Sequence, residues 1–208
     1  MLPLQVPIFP LPNVVLFPNV SLPLHIFEAR YREMVAHALA ENRLIGMVLL
    51  REKLSANTPV PPVYSIGCAG VIEHVENLSD GCYNIILRGL EKFSIQNEHQ
   101  KGNYRQAVID TIEESYTDKE LQLLNITRIR LEELLTHNLQ PSGADIEIPK
   151  DMTDDELVNT IAQYYEFEMV EKQFLLERQG PYERCQALIE LLEMQHKATY
   201  RRYKHDIQ

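Results

Sequence analysis

Of the side chains in this chain that can bind a metal or catalyse a reaction, none recurs at the spacing such chemistry needs. The seven histidines, His25, His37, His74, His99, His137, His196 and His205, never pair at the i, i+4 interval of a helical zinc site, and there is no H-E-x-x-H. Glu193-Met194-Gln195-His196 is an E-x-x-H on a helical stretch, but a di-iron bundle needs two copies and two further glutamates, and no second copy is present. It reads as a solvated helix face. Glu73 and His74 are neighbours on a strand, where they point to opposite faces and cannot serve one substrate. Cys68, Cys82 and Cys185 are odd in number with no C-x-x-C, which fits reduced, mostly buried thiols in a reducing compartment. No metal and no cofactor are expected.

What remains is binding chemistry, and it concentrates at one corner. His25 ends an apolar strand and Glu28 opens a helix, where a carboxylate is favoured by the helix dipole and can accept from first-turn amides. The plainer reading of the pair is a histidine bonded to backbone beside an N-terminal cap. The functional reading makes this corner, with exposed Arg30, Glu33 and His37, one wall of a groove for a polypeptide. The proline-rich loop Arg51 to Pro62 supplies the other wall, with Leu54, Val60 and Val63 as contacts, because a rigid loop presents apolar surface at low entropic cost.

Two kinds of element must position that corner. Six of the twelve prolines fall between Leu2 and Tyr31 among short β-branched runs, which specifies short, bent strands at the rim of a β structure. Between Glu28 and Asn42, Tyr31, Met34, Val35, Ala38 and Leu39 share one helical face. Strands are expected again over Arg43 to Leu50, Val63 to Val75, Tyr83 to Leu87, Glu91 to Gln96 and Tyr104 to Ile112, with Asp80-Gly81 as a hairpin turn. The character changes near Ser115. Thr117 to Glu120 and Thr153 to Glu156 are capping boxes, opening a helix that Pro141-Ser142-Gly143 stops and another that runs to about Arg178. Gly180-Pro181 then starts a final helix towards Tyr203. The expected fold is α+β: a partly closed, mostly antiparallel β-barrel over 1–115 with one inserted helix, and a helical bundle over 116–208 packed on it.

The order of these pieces resembles the N-terminal, substrate-binding domain of the Lon protease family. The matching residues are Phe9-Pro10-Leu11, Val14 to Pro18, Leu22-Pro23-Leu24-His25-Ile26-Phe27-Glu28 with Arg30-Tyr31, Gly67 to Ile72, Ile85 to Leu90, and Glu171 to Glu177 followed by Glu183-Arg184 and Leu188 to Leu192. The sequence departs from the pattern at Cys185-Gln186-Ala187, where a leucine usually follows the arginine, and at Lys92, which stands near the usual arginine. The resemblance implies a PUA-like barrel, a polypeptide partner and a stand-alone form of the domain. Lon's catalytic machinery has no counterpart: no G-x-x-x-x-G-K-[ST] loop, and no serine in a glycine-alanine setting with a downstream lysine.

Charge narrows the partners. The chain of 208 residues carries a net −10, with −3 up to Ser115 and −7 beyond it, and an acidic surface repels phosphate backbones and anionic lipid. The one basic stretch, Lys197, Arg201, Arg202 and Lys204 with Tyr200 and Tyr203, reads as cations near a helix C-terminus. No run is long and apolar enough for a membrane span, and the start lacks the pattern of a secretory signal, so a cytoplasmic location is expected. The expected function is a non-catalytic, polypeptide-binding module, an adaptor in protein quality control. RNA binding, as in other PUA-like barrels, and small-molecule sensing are the alternatives. The sequence leaves oligomeric state open.

Overall fold

A computed structural model describes residues 2–51, 60–115, 117–138 and 152–205. Three of the six opening prolines fall within strands, Pro7 and Pro10 in β1 (Gln5–Leu11) and Pro23 in β2 (Ser21–Ile26), both short, as their missing amide donors require. The helix α1 (Ala29–Ala40) follows, burying Tyr31, Met34, Val35 and Ala38 on the face that their spacing predicts. The strands β3 (Leu44–Leu49), β4 (Ile66–Asn77), β5 (Tyr83–Lys101) and β6 (Tyr104–Ile112) complete the sheet. After them come α2 (Asp118–Asn138), α3 (Asp154–Tyr164), α4 (Met169–Leu176) and α5 (Pro181–His205).

The sheet is mixed, in the order β2-β5-β4-β3-β1-β6, and β5 also pairs with β6. Only β1 and β3 run parallel, with Ile8 opposite Gly46, and the connection between them carries β2 and α1. All other pairs are antiparallel. Val6, Ile8, Val48, Leu50, Val63, Ala69, Phe93, Ala107 and Ile109 form an apolar cluster drawn from β1, β3, β4, β5, β6 and the bridge Leu50–Val63.

Two expected elements differ. The stretches Tyr83 to Leu87 and Glu91 to Gln96 are one strand, because Gly89 continues the ladder where a Cβ would stand 2.0 Å from the carbonyl oxygen of Phe17. The helix expected from Thr153 to Arg178 is two helices. A turn at Tyr165–Phe167 buries Phe167, and the amide of Glu168 donates to the Glu171 carboxylate at 2.9 Å, starting α4 without any glycine or proline to announce it. Both predicted threonine caps are present: Glu120 accepts from the amide of Thr117 at 2.7 Å, and Glu156 from that of Thr153 at 3.0 Å.

The chain divides into two compact units, one of Met1–Glu114 with Gln163–Glu177, the other of Ser115–Ala162 with Arg178–Gln208. The first unit is therefore discontinuous, where the sequence reading places all of 116–208 with the helices. Its returning segment is held by buried polar ties. Gln163 accepts from the amide of Phe17 at 3.1 Å and donates to the carbonyl of Val15 at 2.8 Å, imitating a strand partner. Gln173 donates to the carbonyl of Ile66 at 3.0 Å, and Lys172 to that of Gln163. In the second unit, Arg184 is fully buried and donates to Asn159 at 2.6 Å, while Arg128 bridges Glu132 and Asp154.

Candidate functional site

The strand-to-helix corner is built by β2 and the hairpin of β4 and β5. The Asp80-Gly81 turn closes that hairpin with Gly81 at φ 80°, a conformation that favours glycine, and the Asp80 carboxylate accepts from the Cys82 amide at 3.0 Å. Counting outward from this turn places Glu76 opposite Asn84 and His74 opposite Ile86. The strand β2 then sets His25 opposite Asn84 and Pro23 opposite Ile86. Directly opposed residues share a face of the sheet, so His25, Asn84 and Glu76 form one row across three strands.

That row is hydrogen-bonded throughout. Asn84 donates through Nδ2 to the Glu76 carboxylate at 2.8 Å and turns its Oδ1 to His25 Nδ1 at 2.8 Å. A carboxylate only accepts, so the amide orientation is determined and Nδ1 must carry the proton. The exposed Phe27 ring stacks beside the imidazole at 6.1 Å between centroids. His25 is thus bonded to a side chain, where the plainer sequence reading has it bonded to backbone.

Glu28 is the N-cap of α1 with an extended backbone, but its side chain makes no cap hydrogen bond. It forms instead an ion pair with Arg30 at 2.9 Å, and the Arg30 guanidinium lies over the Tyr31 ring. The expected dipole-and-amide role of the carboxylate gives way to this local pair. Glu33 and His37 belong to a different neighbourhood, the β5–β6 turn. Asn103 donates to Glu33 at 2.6 Å, and His37 Nδ1 lies 2.9 Å from the Tyr104 hydroxyl. Burial and the charges of Glu41 and Glu33 push the Tyr104 hydroxyl above its usual pKa.

The expected opposite wall is only partly described. Leu54 lies outside the described residues. Val60 is 60 % exposed, whereas Val63 is 8 % exposed, because its bridge to Leu50 turns it into the β core, and it is not a surface contact. The sequence-predicted residues therefore fall into two clusters: His25, Glu28 and Arg30 at the β2 corner, Glu33 and His37 at the β5–β6 turn. Sequence reading missed Phe27, Asn84 and Glu76 as site residues. The hairpin count from Asp80-Gly81 exposes the Glu76–Asn84 pair, but nothing local reveals that β2 lies against β5. Among the described residues no group of histidine, cysteine and carboxylate side chains can hold a metal ion, and no helix is long and apolar enough to cross a membrane. The basic tail's side chains beyond Lys197 lie outside those described.

Comparison with known proteins bears on all of this. The model of the ATP-dependent protease La (LON) substrate-binding domain matches residues 5–194. Lon protease 2 of Syntrophobacter fumaroxidans is 29 % identical over 185 residues, covering 85 % of this chain and 22 % of its own length. The Lon protease of Cytophaga hutchinsonii is 27 % identical over 196 residues, covering 92 % and 24 %. The chain thus spans about a quarter of the length of these curated relatives. Among solved structures, the N-terminal domain of Mycobacterium avium complex Lon protease superposes with a TM-score of 0.69 at 20 % identity, covering 91 % of this chain and 98 % of that one. A Lon N-terminal domain protein from Xanthomonas campestris gives 0.60 at 20 % identity, covering 89 % and 97 %. The mixed sheet and its helices have the fold of a Lon N-terminal domain, and with a family model matching nearly its whole length the chain belongs to the Lon substrate-binding domain family.

Proposed function

We propose that this chain is a polypeptide-binding module without catalytic activity of its own, an adaptor in protein quality control. The observation that carries the reading is the match of residues 5–194 to a domain described as substrate-binding. The absence of a phosphate-binding loop motif and of a serine-lysine pair from the sequence supports a non-catalytic role. We read the pairings that run β5–β4–β3–β1–β6 and return to β5 as a small PUA-like barrel, with β2 laid along its rim. The polypeptide lies at the corner of His25, Glu28 and Arg30. The free thiols Cys68, Cys82 and Cys185 suit a reducing, cytoplasmic setting.

Reduced, carboxymethylated lactalbumin, a permanently unfolded chain, is the probe, with native lactalbumin and a pool of RNA as comparators. Binding of the unfolded form alone, persisting at 0.5 M salt, is the expected result, together with no ATP hydrolysis and no cleavage of labelled casein. Salt-labile binding of RNA with no binding of the unfolded protein overturns the reading.

A further inference from the structure

The tautomer of His25 has a consequence for what can dock beside it. Because Nδ1 donates to Asn84, a neutral imidazole presents a bare lone pair at Nε2, and no partner for Nε2 exists among the described residues. Around it the sheet face is open: Phe27 is 64 % exposed, Ile86 37 %, and Pro23, His74 and Glu76 are exposed as well. Pro23, Ile86 and His74 form one row across β2, β5 and β4 and His25, Asn84 and Glu76 another, and Phe27 follows β2 directly.

The charges on this face have a definite balance. From α1, Arg30 is paired to Glu28 at its entry, and Arg32 reaches the carbonyls of Asp80 and Gly81. From β5 and β4, Arg88 is paired with Glu73 at 3.5 Å. Two carboxylates have no ion-pair cation among the described residues: Glu76 on β4, bonded to Asn84, and Asp80 in the turn, bonded to Cys82. The Cys82 amide holds the Asp80 carboxyl below the usual carboxylate range. His74 on β4 and the Cys82 thiol, raised by burial and by Asp80, are further titratable groups at this end of the sheet.

We propose that this face is a docking site for a polypeptide segment with a basic side chain beside an apolar one, and that neutral His25 is its hydrogen-bond acceptor. The inference rests on the polypeptide-binding reading above and names the chemistry of the segment and its control by pH. The guanidinium or ammonium lies over the Phe27 ring between the Glu76 and Asp80 carboxylates, and one of its N–H groups donates to His25 Nε2. The neighbouring apolar side chain covers Ile86 and Pro23. Protonation of His25 turns the acceptor into a donor and sets a positive charge against the segment.

The test uses the full chain and a fluorescein-labelled peptide, Gly-Ser-Leu-Arg-Phe-Arg-Leu-Ser-Gly, with a counterpart in which glutamate replaces both arginines. Anisotropy at 0.15 M salt is expected to show binding of the arginine peptide at pH 7.5 at least tenfold tighter than the glutamate peptide. Its affinity is expected to fall as the pH is lowered, because a protonated imidazole no longer offers an acceptor at Nε2. His25→Gln is expected to flatten that profile above pH 5.5, His99→Gln, at the far end of β5, to leave it intact, and Phe27→Ala to weaken binding severalfold at all pH values. Amide NMR shifts on adding the peptide are expected at Phe27, Asn84 and Ile86. Equal binding of both peptides, or a pH profile unchanged in His25→Gln, overturns the proposal. Shifts confined to other residues overturn it while leaving polypeptide binding standing, whereas failure to bind unfolded lactalbumin defeats the broader reading as well.

Discussion

Lys172 is a buried cation with no carboxylate against it among the described residues; the carbonyl of Gln163 is its hydrogen-bond acceptor. Burial holds its pKa below the usual 10.5, so the folded state binds this proton less tightly than the unfolded chain. The group's contribution therefore improves as pH rises from the folded pKa to 10.5 and is complete above it. In urea titrations between pH 7 and 10, the stability difference between wild type and Lys172→Met is expected to move in favour of wild type as pH increases. A difference that stays constant would contradict the burial of the charge. The difference is the useful quantity, because Tyr31, Tyr104 and Tyr165, raised chiefly by burial, favour folding below pH 10 and lose that contribution above it. The cysteines sort by the same physics. Cys185 is buried and its thiol pushed up to about 12, Cys68 is buried, and Cys82 is partly accessible at the hairpin turn. Iodoacetamide at pH 8 is expected to label Cys82 slowly, its thiol being raised by burial and by Asp80, and the other two only after denaturation, as read by peptide mass spectrometry.

At the scale of elements, β2 is the strand of the sheet with one partner, and its free edge is blunted rather than open. The Ser21 carbonyl accepts from the Tyr164 hydroxyl, and Pro23, two residues on and facing the same way, has no N–H to offer. Pro23→Val restores a donor and a good strand former on that edge. Concentration-dependent self-association, measured by sedimentation velocity, is the expected result, and a variant as monodisperse as its parent would show that the edge is protected by other means. The returning segment depends on Gln163 in a comparable way. Gln163→Leu removes the buried acceptor of the Phe17 amide and the donor to the Val15 carbonyl, so a loss of about 1–3 kcal/mol per hydrogen bond in denaturant unfolding is expected. Much of this scale is legible in the sequence. The capping boxes at Thr117 and Thr153, the apolar face of α1 and the Asp80-Gly81 hairpin are local signals, and local geometry obeys them. The break between α3 and α4 has no such signal, since Tyr165, Glu166 and Phe167 are ordinary helix residues and burial of Phe167 decides the turn. The site is legible in part for the same reason: His25 and Glu28 are adjacent in sequence, but the Asn84 and Glu76 that orient His25 arrive through the long-range β2–β5 pairing.

For the whole molecule the discontinuity of the first unit is the governing feature. A fragment of residues 1–114 contains all six strands yet lacks Gln163, Lys172, Gln173, Leu175 and Leu176, all buried in the unit. Expressed alone it is expected to expose apolar surface, bind ANS and lose near-UV dichroism, and a cooperatively folded, dye-silent fragment would refute the dependence. The same discontinuity sets a timetable during synthesis. The strands leave the ribosome first, but the segment that completes their unit follows about sixty residues later, which at 5–20 residues per second is on the order of 3–12 s of translation. Throughout that interval the nascent β unit lacks the glutamines, the lysine and the leucines that close it, so its tertiary packing is expected to lag behind synthesis of its last strand until α4 has emerged.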